Sequence, residues 1–177
     1  MIFINLSLDQ PVARKADTKT GALIAMGARF VMDGKDSAGR VGLIEHPIIP
    51  RGLASPMHLH TREDEYSYIL KGRWGFQMGD DIVYGEPGDI VYKPRNVWHA
   101  FWNAGDEPGS LLEIISPSGF EHYFVELSEL LAQHGMERMD LFATLNEKYG
   151  LSMDFDSIPT LAAAHNLVPA AEPGTEY

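Results

Sequence analysis

The sequence predicts a β-sandwich or β-barrel followed by α-helices, and three observations carry this prediction. Short apolar stretches rich in Tyr, Trp, Val and Ile alternate with glycine, proline and aspartate between about residues 20 and 117, which is typical of consecutive strands. Turn-forming sequences separate neighbouring stretches. After Pro117 the apolar period lengthens to that of an amphipathic helix.

The strand region is divided by clear turn signals. GDD at residues 79–81 and EPGD at residues 86–89 combine residue types that favour turns, so each predicts a connection between two strands. At the N-terminus, the apolar run of MIFINL has no positive residue ahead of it, and we expect a strand there rather than a signal peptide. The eight strand-like stretches are ALIAMGARFVMDG, RVGLIEHPIIPRG, EYSYILKG, RWGFQMGD, DIVYGEPG, DIVYKP, VWHAFWNAG and SLLEIIS.

A first helix is expected over about residues 120–131. Ser118 and Glu121 form the S-x-x-E pattern of a capping box ahead of it, and Gly135 follows as a stop signal. The apolar residues at helical spacing are Phe120, Tyr123, Phe124, Leu127, Leu130 and Leu131.

Two further helices are expected beyond it. One lies near residues 140–149, with an apolar side and a glycine, Gly150, at its end. A third, short helix is expected to start at Pro159, because proline suits the first helical turn.

Composition excludes several functions. The chain has 177 residues, enough for one well-buried domain, and 25 acidic against 14 basic side chains give a formal net charge of −11. Such a charge repels phosphate backbones, so we expect no nucleic-acid partner. No apolar run approaches the roughly 18 residues of a membrane span, so we expect no membrane partner. Since no targeting segment is recognised, we expect a cytoplasmic protein. The absence of cysteine excludes disulfides and thiolate metal sites.

Two histidines lie two residues apart in the stretch HLHTREDE. Side chains alternate along a strand, so His58 and His60 project to the same side, about 6.5–7 Å apart at the backbone, where they can share one ion. Glu65 opens the next strand, and His99 lies in another strand-like piece. Three neutral imidazoles and one carboxylate suit a divalent first-row metal. An ordinary core or surface histidine remains the alternative for each imidazole.

The glycines and prolines around these residues resemble the two motifs of the cupin family. The first motif, G-x5-H-x-H-x4-E-x6-G, is filled completely, and the second, G-x5-P-x-G-x2-H-x3-N, is filled except at its inner glycine, where this chain has Asn96. Asparagine tolerates positive φ well, so we expect the turn to be kept. The matching residues are Gly52, His58, His60, Glu65, Gly72, Gly88, Pro94, His99 and Asn103.

The resemblance implies a mainly β double-stranded β-helix, the jelly-roll barrel of the cupins, with C-terminal α-helices packed on it. It implies a barrel at residues 1–117 with its motifs at 52–72 and 88–103, a helical extension at 118–168 and a flexible tail at 169–177. The implied cofactor is one divalent transition metal, Fe, Ni, Mn, Co or Zn. By the resemblance, its ligands are His58, His60, Glu65 and His99.

Alternation along the strands indicates which other side chains share the ligands' face. With Glu65 and His99 facing inward, their alternate neighbours also face inward and are candidates for a substrate pocket, although plain barrel core is the alternative for each. These candidates are Ser67, Ile69, Phe101 and Asn103.

The remaining strand aromatics are expected to face outward, toward a second layer or a partner subunit. Cupins often pair through an outer sheet face, so the resemblance implies a homodimer. The outward aromatics are Tyr66, Tyr68, Trp98 and Trp102, and the histidines that fit no motif position, expected to be ordinary, are His46, His122, His134 and His165.

A closer resemblance is to the single-cupin quercetin 2,3-dioxygenase group. It is carried by YKPRNVWHAFWN and ISPSGFEHYFVELSELL. It implies a metal-dependent oxidoreductase that cleaves a small enolisable substrate, flavonol- or diketone-like, with O2. In that group the ligand glutamate is proposed as the base, which carries over to Glu65; pure ligation is the alternative. The helix at 120–131 is either barrel-capping core or a substrate lid.

Other functions stay open, because a fold does not name a reaction. The same metal can act without oxygen in an isomerase, cyclase or lyase. A non-catalytic small-molecule sensor or storage module is a third class. A purely structural barrel is least favoured, because all four ligand residues are present.

Overall fold

The computed structural model describes residues 20–22, 27–49, 51–135 and 137–167. The strand expected in MIFINL and the tail expected at 169–177 lie outside these residues. Among the helices in the described ranges, none is both long and apolar enough to cross a membrane.

The described strands pair antiparallel in two sheets. In chain order they are β1 (Thr20–Ala22), β2 (Gly27–Met32), β3 (Gly42–Ile49), β4 (Gly52–Leu53), β5 (Met57–His60), β6 (Asp64–Lys71), β7 (Trp74–Met78), β8 (Asp81–Gly85), β9 (Ile90–Lys93), β10 (His99–Asn103), β11 (Gly109–Ser116) and β12 (Leu151–Asp154). One sheet has the order β1-β2-β3-β11-β6-β9; the other has the order β12-β5-β10-β7-β8, with β4 on β10. The chain crosses between the sheets repeatedly, and the predicted jelly-roll barrel is confirmed.

Strand β6 shows how the sequence sets the two faces of the barrel wall. Glu65, Ser67 and Ile69 are buried, whereas Tyr68 and Leu70 between and after them are exposed. This period of two is the pattern of a strand with one face on the core, and it confirms the inward direction predicted for the three buried residues.

The three predicted helices are confirmed. Helix α1 covers Glu121–His134, α2 covers Met139–Tyr149 and α3 covers Ser157–His165. Pro159 lies in the first turn of α3, which begins two residues earlier than expected. Gly150 ends α2 in the left-handed conformation, with φ of 67°.

The apolar stripe of α1 closes one end of the barrel. Phe120, which precedes the helix, and Phe124 pack into a buried cluster with Ile44 and Ile115 from the strands. The rings of Phe120 and Tyr123 stack with their centroids 4.9 Å apart. The stripe therefore belongs to the core that caps the barrel.

The predicted capping box at the start of α1 is wrong. The residue before the helix is Phe120, which makes no side-chain cap. The carboxylate of Glu121 instead accepts hydrogen bonds from the backbone N–H groups of Gly34, at 2.9 Å, and Gly119. The local pattern predicted that the Glu121 carboxylate would cap the helix together with Ser118. In the structure it is bonded to Gly34, which lies 87 residues earlier in the chain.

Strand β12 was not predicted, and it joins the barrel from beyond residue 117. Leu151 pairs with His60 and Met153 pairs with His58, so β12 lies directly beside the strand that carries two candidate ligands. The segment predicted as a helical extension thus contributes a strand, β12, to the second sheet. The boundary expected at residue 117 between barrel and extension stays a prediction.

Trp102 faces out of the barrel, as alternation predicts, but it is buried beneath α3. Its ring stacks on that of His165 at a centroid distance of 4.0 Å, and it packs with Leu161. The helix therefore forms the second layer over this part of the sheet.

Candidate metal centre

Three strands bring the four predicted ligands together. His58 and His60 lie on β5, Glu65 lies on β6, and His99 begins β10, where it pairs directly with His58. All four side chains are buried.

The ligand atoms converge around one point. One nitrogen or oxygen atom from each of the four side chains lies within 4.8 Å of the other three. Glu65 Oε2 is 3.5 Å from His60 Nε2 and 3.6 Å from His99 Nε2. The ring centroids of His58 and His99 are 4.1 Å apart. The cluster has the arrangement expected from the two motifs.

Backbone carbonyl groups orient two of the imidazoles. His58 Nδ1 lies 2.9 Å from the carbonyl oxygen of Pro56, and His99 Nδ1 lies 2.9 Å from that of Val97. A carbonyl oxygen only accepts, so each Nδ1 must donate its proton. In the neutral ring, Nε2 then carries the lone pair, and this atom is available to a metal.

Burial and neighbouring imidazoles keep His58 neutral. Removal from water, together with the nearby His99 and His60, lowers the pKa of His58 well below its usual value. The neutral imidazole is the form that binds a metal.

A buried carboxylate lies behind His60. His60 Nδ1 is 3.8 Å from Glu63 Oε2, both side chains are buried, and neither atom has a hydrogen-bond partner among the described residues. A carboxylate on the far side of a ligating imidazole is a common way to fix the ring orientation. Glu63 carries no signal of its own in the sequence, because its role depends on the conformation of the turn before Glu65.

The donor set fits a divalent metal. His99 Nε2 is buried next to Glu65 and has no hydrogen-bond partner among the described residues. An unpaired lone pair is costly in a protein interior, and a cation would satisfy it. Three imidazoles and one carboxylate accept several first-row metals, so the donor types do not decide which one binds. The four residues could therefore hold a metal of the kind expected from the sequence.

Lys93 is an ionised group beside the cluster that sequence analysis missed. Its Nζ lies 3.0 Å from Glu65 Oε2 and 3.0 Å from Glu113 Oε1, and only 1% of its surface is exposed. Burial lowers the pKa of Lys93, but Glu113 and Glu65 outweigh that effect and raise it. Burial has the opposite effect on a carboxylate and raises the pKa of Glu65. The nearby His60 and Lys93 outweigh it and hold this pKa well below its usual value.

A signal for these missed residues was present in the sequence. Lys93 is the charged residue of IVYK and Glu113 that of LLEII, each in an otherwise apolar strand. Strand pairing places Lys93 opposite Glu65 and Glu113 opposite Ser67. A lone charge on the buried face of a strand needs a partner. Which residue lies opposite it depends on the strand register, which is decided only by the tertiary structure.

The cluster opens into a cavity of about 270 Å³. Three of the ligands, His58, His60 and Glu65, line it together with Lys93 and Glu113. The rest of the wall is largely apolar and comes from the barrel strands, including β12, and from α1, α2 and α3. Its larger apolar residues include Phe101, Phe120, Phe124, Leu127, Phe142 and Met153.

The predicted pocket residues occupy different depths of the barrel. Phe101 lines the cavity. Ser67, Ile69 and Asn103 are buried but are not part of its wall: Ser67 Oγ donates to Glu113 Oε1 at 2.8 Å, Ile69 packs against apolar core, and Asn103 Nδ2 donates to a backbone carbonyl at 2.8 Å. Alternation predicts the face on which a side chain lies, but not its depth along the barrel axis.

One histidine without a motif position also reaches the cavity. His46 is buried, lines the wall and lies edge-on to Phe124 at a centroid distance of 5.5 Å. Phe124, Leu127 and Leu131 of α1 line the same wall. Helix α1 therefore belongs to the core that caps the barrel and also forms one boundary of the cavity.

Comparisons with known proteins agree with this description. Residues 47–115 match the family Cupin_2, described as a cupin domain. An uncharacterised protein of Methanocaldococcus jannaschii is 27% identical over 112 residues, which cover 63% of this chain and 86% of that protein.

Several solved structures are similar to part of this chain. KdgF from a Halomonas species is 15% identical, with 60% of this chain and 88% of that chain covered and a TM-score of 0.49. The nucleoside dehydratase Pac13 of Streptomyces is 12% identical, with coverage of 61% and 85% and a TM-score of 0.49. A predicted oxalate decarboxylase of Thermotoga maritima is 20% identical, with coverage of 52% and 80% and a TM-score of 0.45.

These solved structures assign no reaction to this chain, and the resemblance to quercetin 2,3-dioxygenases is not confirmed. The cupin-domain match over residues 47–115 agrees with the two-sheet barrel and its buried His-His-Glu-His cluster.

Proposed function

We propose that the chain is a metal-dependent oxidoreductase, a dioxygenase that cleaves a small enolisable substrate of flavonol or diketone type with O2. The observation that supports this proposal is the buried cluster of three histidines and one glutamate at the wall of a largely apolar cavity of about 270 Å³. The apolar wall suits an aromatic or aliphatic body, and the cluster suits an oxygen anion.

The site residues have separate roles in this proposal. His58, His60, Glu65 and His99 would hold the metal, which supplies a positive centre that favours the enolate form of a substrate. Glu65 is an ionised carboxylate that borders the cavity, so it can accept the proton of a substrate hydroxyl.

Lys93 and the apolar wall support Glu65. The Lys93 ammonium lies 3.0 Å from the Glu65 carboxylate and holds its Oε2 in place. The phenylalanine and leucine side chains of the cavity exclude water around the reacting groups, which strengthens each charge interaction there.

Oxygen uptake tests this proposal. The protein is stripped of metal, reconstituted separately with Fe, Ni, Mn or Co, and mixed with flavonols and 1,3-diketones in an oxygen-electrode cell. We expect uptake with at least one metal and one substrate class, and none with the redox-inactive zinc form. Absence of uptake in every combination would refute a dioxygenase.

A pair of variants assigns the base. Glu65→Gln keeps the shape of the side chain but removes its ability to take a proton, so we expect a fall in turnover of about 10²-fold or more. Glu129→Gln changes an exposed carboxylate on α1 and should turn over at the wild-type rate. Because Glu65 is also a candidate ligand, metal content must be measured in both variants before their rates are compared.

A non-oxidative isomerase, cyclase or lyase is the second candidate. It is favoured by the ion pair of Lys93 and Glu113, which lines the cavity and of which Lys93 also contacts Glu65. Proton transfer by such groups requires no oxygen. Turnover under strictly anaerobic conditions would select it over a dioxygenase. Tight binding of a ligand that is converted neither with nor without oxygen would indicate a sensor or storage module.

A further inference from the structure

The two carboxylate oxygens of Glu113 have different surroundings. Oε1 accepts a hydrogen bond from Ser67 Oγ at 2.8 Å and another from Lys93 Nζ at 3.0 Å. Oε2 is buried and has no hydrogen-bond partner among the described residues. The side chain is 2% exposed and lines the cavity.

The position of Glu113 is fixed by its first oxygen. Ser67 and Lys93 lie on the neighbouring strands β6 and β9, and both are themselves buried. Lys93 is also bonded to Glu65, which restrains the ammonium between the two carboxylates. Glu113 is therefore held rigidly, with one acceptor oxygen left over at a cavity that is otherwise mostly apolar.

Buried acceptor oxygens nearly always have a donor, and this one belongs to a side chain in the wall of the cavity. A carboxylate accepts hydrogen bonds but does not donate them. A ligand with a hydroxyl group would supply the missing donor, whereas an ether or a carbonyl group would place a second acceptor against the oxygen.

We infer that Glu113 Oε2 accepts a hydrogen bond from a hydroxyl group of the bound substrate. The ligand of the cavity is then a small, mainly apolar molecule with a hydroxyl donor, of the phenol or enol class. This inference rests on the proposed function in that it takes the cavity as the substrate site. It adds the residue that selects the substrate and the group that the residue selects.

Two simple probes separate donor recognition from apolar contact. Phenol and anisole share the same ring, but anisole carries a methyl ether and has no hydrogen to donate. Their dissociation constants are measured by calorimetric titration with the zinc-loaded protein, in which neither probe is oxidised, and with the metal-free protein. We expect phenol to bind about tenfold more tightly than anisole in both forms, the difference typical of a hydrogen bond to a charged group.

A variant identifies the acceptor. In Glu113→Gln the amide oxygen can keep the bonds to Ser67 and Lys93, which turns the amide N–H2 toward the cavity as a donor. We expect the preference for phenol to disappear or to reverse toward anisole. Leu127→Val is the matched control: it alters the apolar wall on α1, so it should change both affinities by a similar factor and leave their ratio intact.

Three outcomes would overturn the inference: an unchanged ratio in Glu113→Gln, equal binding of both probes to the wild type, or no binding of either probe. A phenol that bound only to the metal or to the ligand histidines would give the first of these. Circular dichroism checks that each variant is folded. These titrations need neither oxygen nor turnover, so they can succeed if the dioxygenase proposal fails, and the reverse also holds.

Discussion

The four candidate ligands are held by different kinds of contact. His58 and His99 are each fixed by a backbone carbonyl group, which depends on the local fold and not on a second side chain. His60 instead faces Glu63, and Glu65 faces Lys93. Substitutions behind the ligands should therefore affect the site unequally.

Loss of one imidazole tests the metal assignment itself. Replacing His60 by alanine removes a ligand from the middle of the cluster, so we expect the metal content of the purified protein to fall from about one per chain to near zero. Elemental analysis after purification without added metal measures it. His134→Ala, which changes an exposed histidine at the end of α1, should retain the metal. Equal metal content in both variants would contradict the assignment.

The role of Glu63 behind His60 can be tested by metal affinity. Glu63→Ala removes the carboxylate that faces His60 Nδ1 and leaves all four ligands in place. We expect the metal to bind about 10–100-fold more weakly, as is typical when such an orienting group is lost. Competition with a chromophoric chelator gives the dissociation constant. As a comparison, Asp140→Ala removes an exposed carboxylate on α2 and should leave the affinity unchanged.

At the scale of elements, the loop between β9 and β10 is attached to β6 by one residue pair. Arg95 donates to Asp64 through its backbone N–H at 3.0 Å and through its guanidinium at 3.1 and 2.8 Å. Asn96 follows with a φ of 62°, which confirms the positive φ expected at the missing glycine, and its N–H donates to the carbonyl oxygen of His60 at 2.7 Å. These bonds connect the loops of the two motifs.

The Asp64–Arg95 pair should contribute to stability in an acid-dependent way. Hydrogen bonds from the Arg95 side chain and backbone lower the pKa of Asp64 to about 2. Since the unfolded value is about 3.9, the contribution is complete above that pH and is lost as the pH falls toward 2. The pair is exposed to solvent, so we expect about 1 kcal/mol or less.

Urea unfolding at several pH values measures this contribution. Wild type and Asp64→Asn should differ most at neutral pH and converge near pH 2. A difference that stayed constant across this range would contradict the expected titration of Asp64.

Strands β7 and β10 approach so closely that only glycine fits at one position. Gly75 pairs with Trp102, and an added Cβ would lie 2.2 Å from the indole ring. We expect Gly75→Ala to reduce the free energy of unfolding by about 1–3 kcal/mol through overpacking. Thermal or urea unfolding measures it. In a Trp102→Leu background, where the ring is absent, the same substitution should cost clearly less, since neighbouring substitutions are not additive.

At the scale of the whole molecule, the outer faces of two edge strands carry a band of exposed apolar side chains. Strand β9 ends one sheet and β8 ends the other, and the turn at residues 86–89 connects them. Exposed patches of this kind often mark interfaces between proteins. The larger exposed side chains on these two strands are Ile82, Val83, Tyr84, Ile90 and Tyr92. Tyr68 and Leu70 on β6, which pairs with β9, and Trp98, just before β10, are also exposed.

We propose that two copies of the chain associate through this band, which would form the homodimer that the cupin resemblance implies. Light scattering coupled to size-exclusion chromatography should give about twice the mass of 19.7 kDa. Ile90, the most exposed of these side chains at 57%, is the position at which a charge should act most directly. Ile90→Glu should shift the mass toward that of the monomer, and Val125→Glu, at an exposed position on α1, should not. A monomeric wild type would refute the dimer.

The sequence by itself determined the strand region, the three helices and the four candidate ligands. Each depends on a local regularity: a period of two or 3.6, or fixed spacing around glycine and proline, as at His58, His60 and Asn96. The tertiary structure decided what local pattern does not contain. Glu121 accepts a hydrogen bond from Gly34 because folding brings these distant parts of the chain together. Strand β12 forms because it can pair with the edge of β5.

The cavity shows the same division between local pattern and tertiary structure. Alternation placed Ser67 and Phe101 inside the barrel, but depth along its axis separates one from the cavity and leaves the other in its wall. Lys93 and Glu113 became site residues through strand register, which pairs residues far apart in the chain. The candidate ligands can be identified from the sequence motifs alone. The shape and polarity of the cavity beside them arise only when the sheets and helices pack.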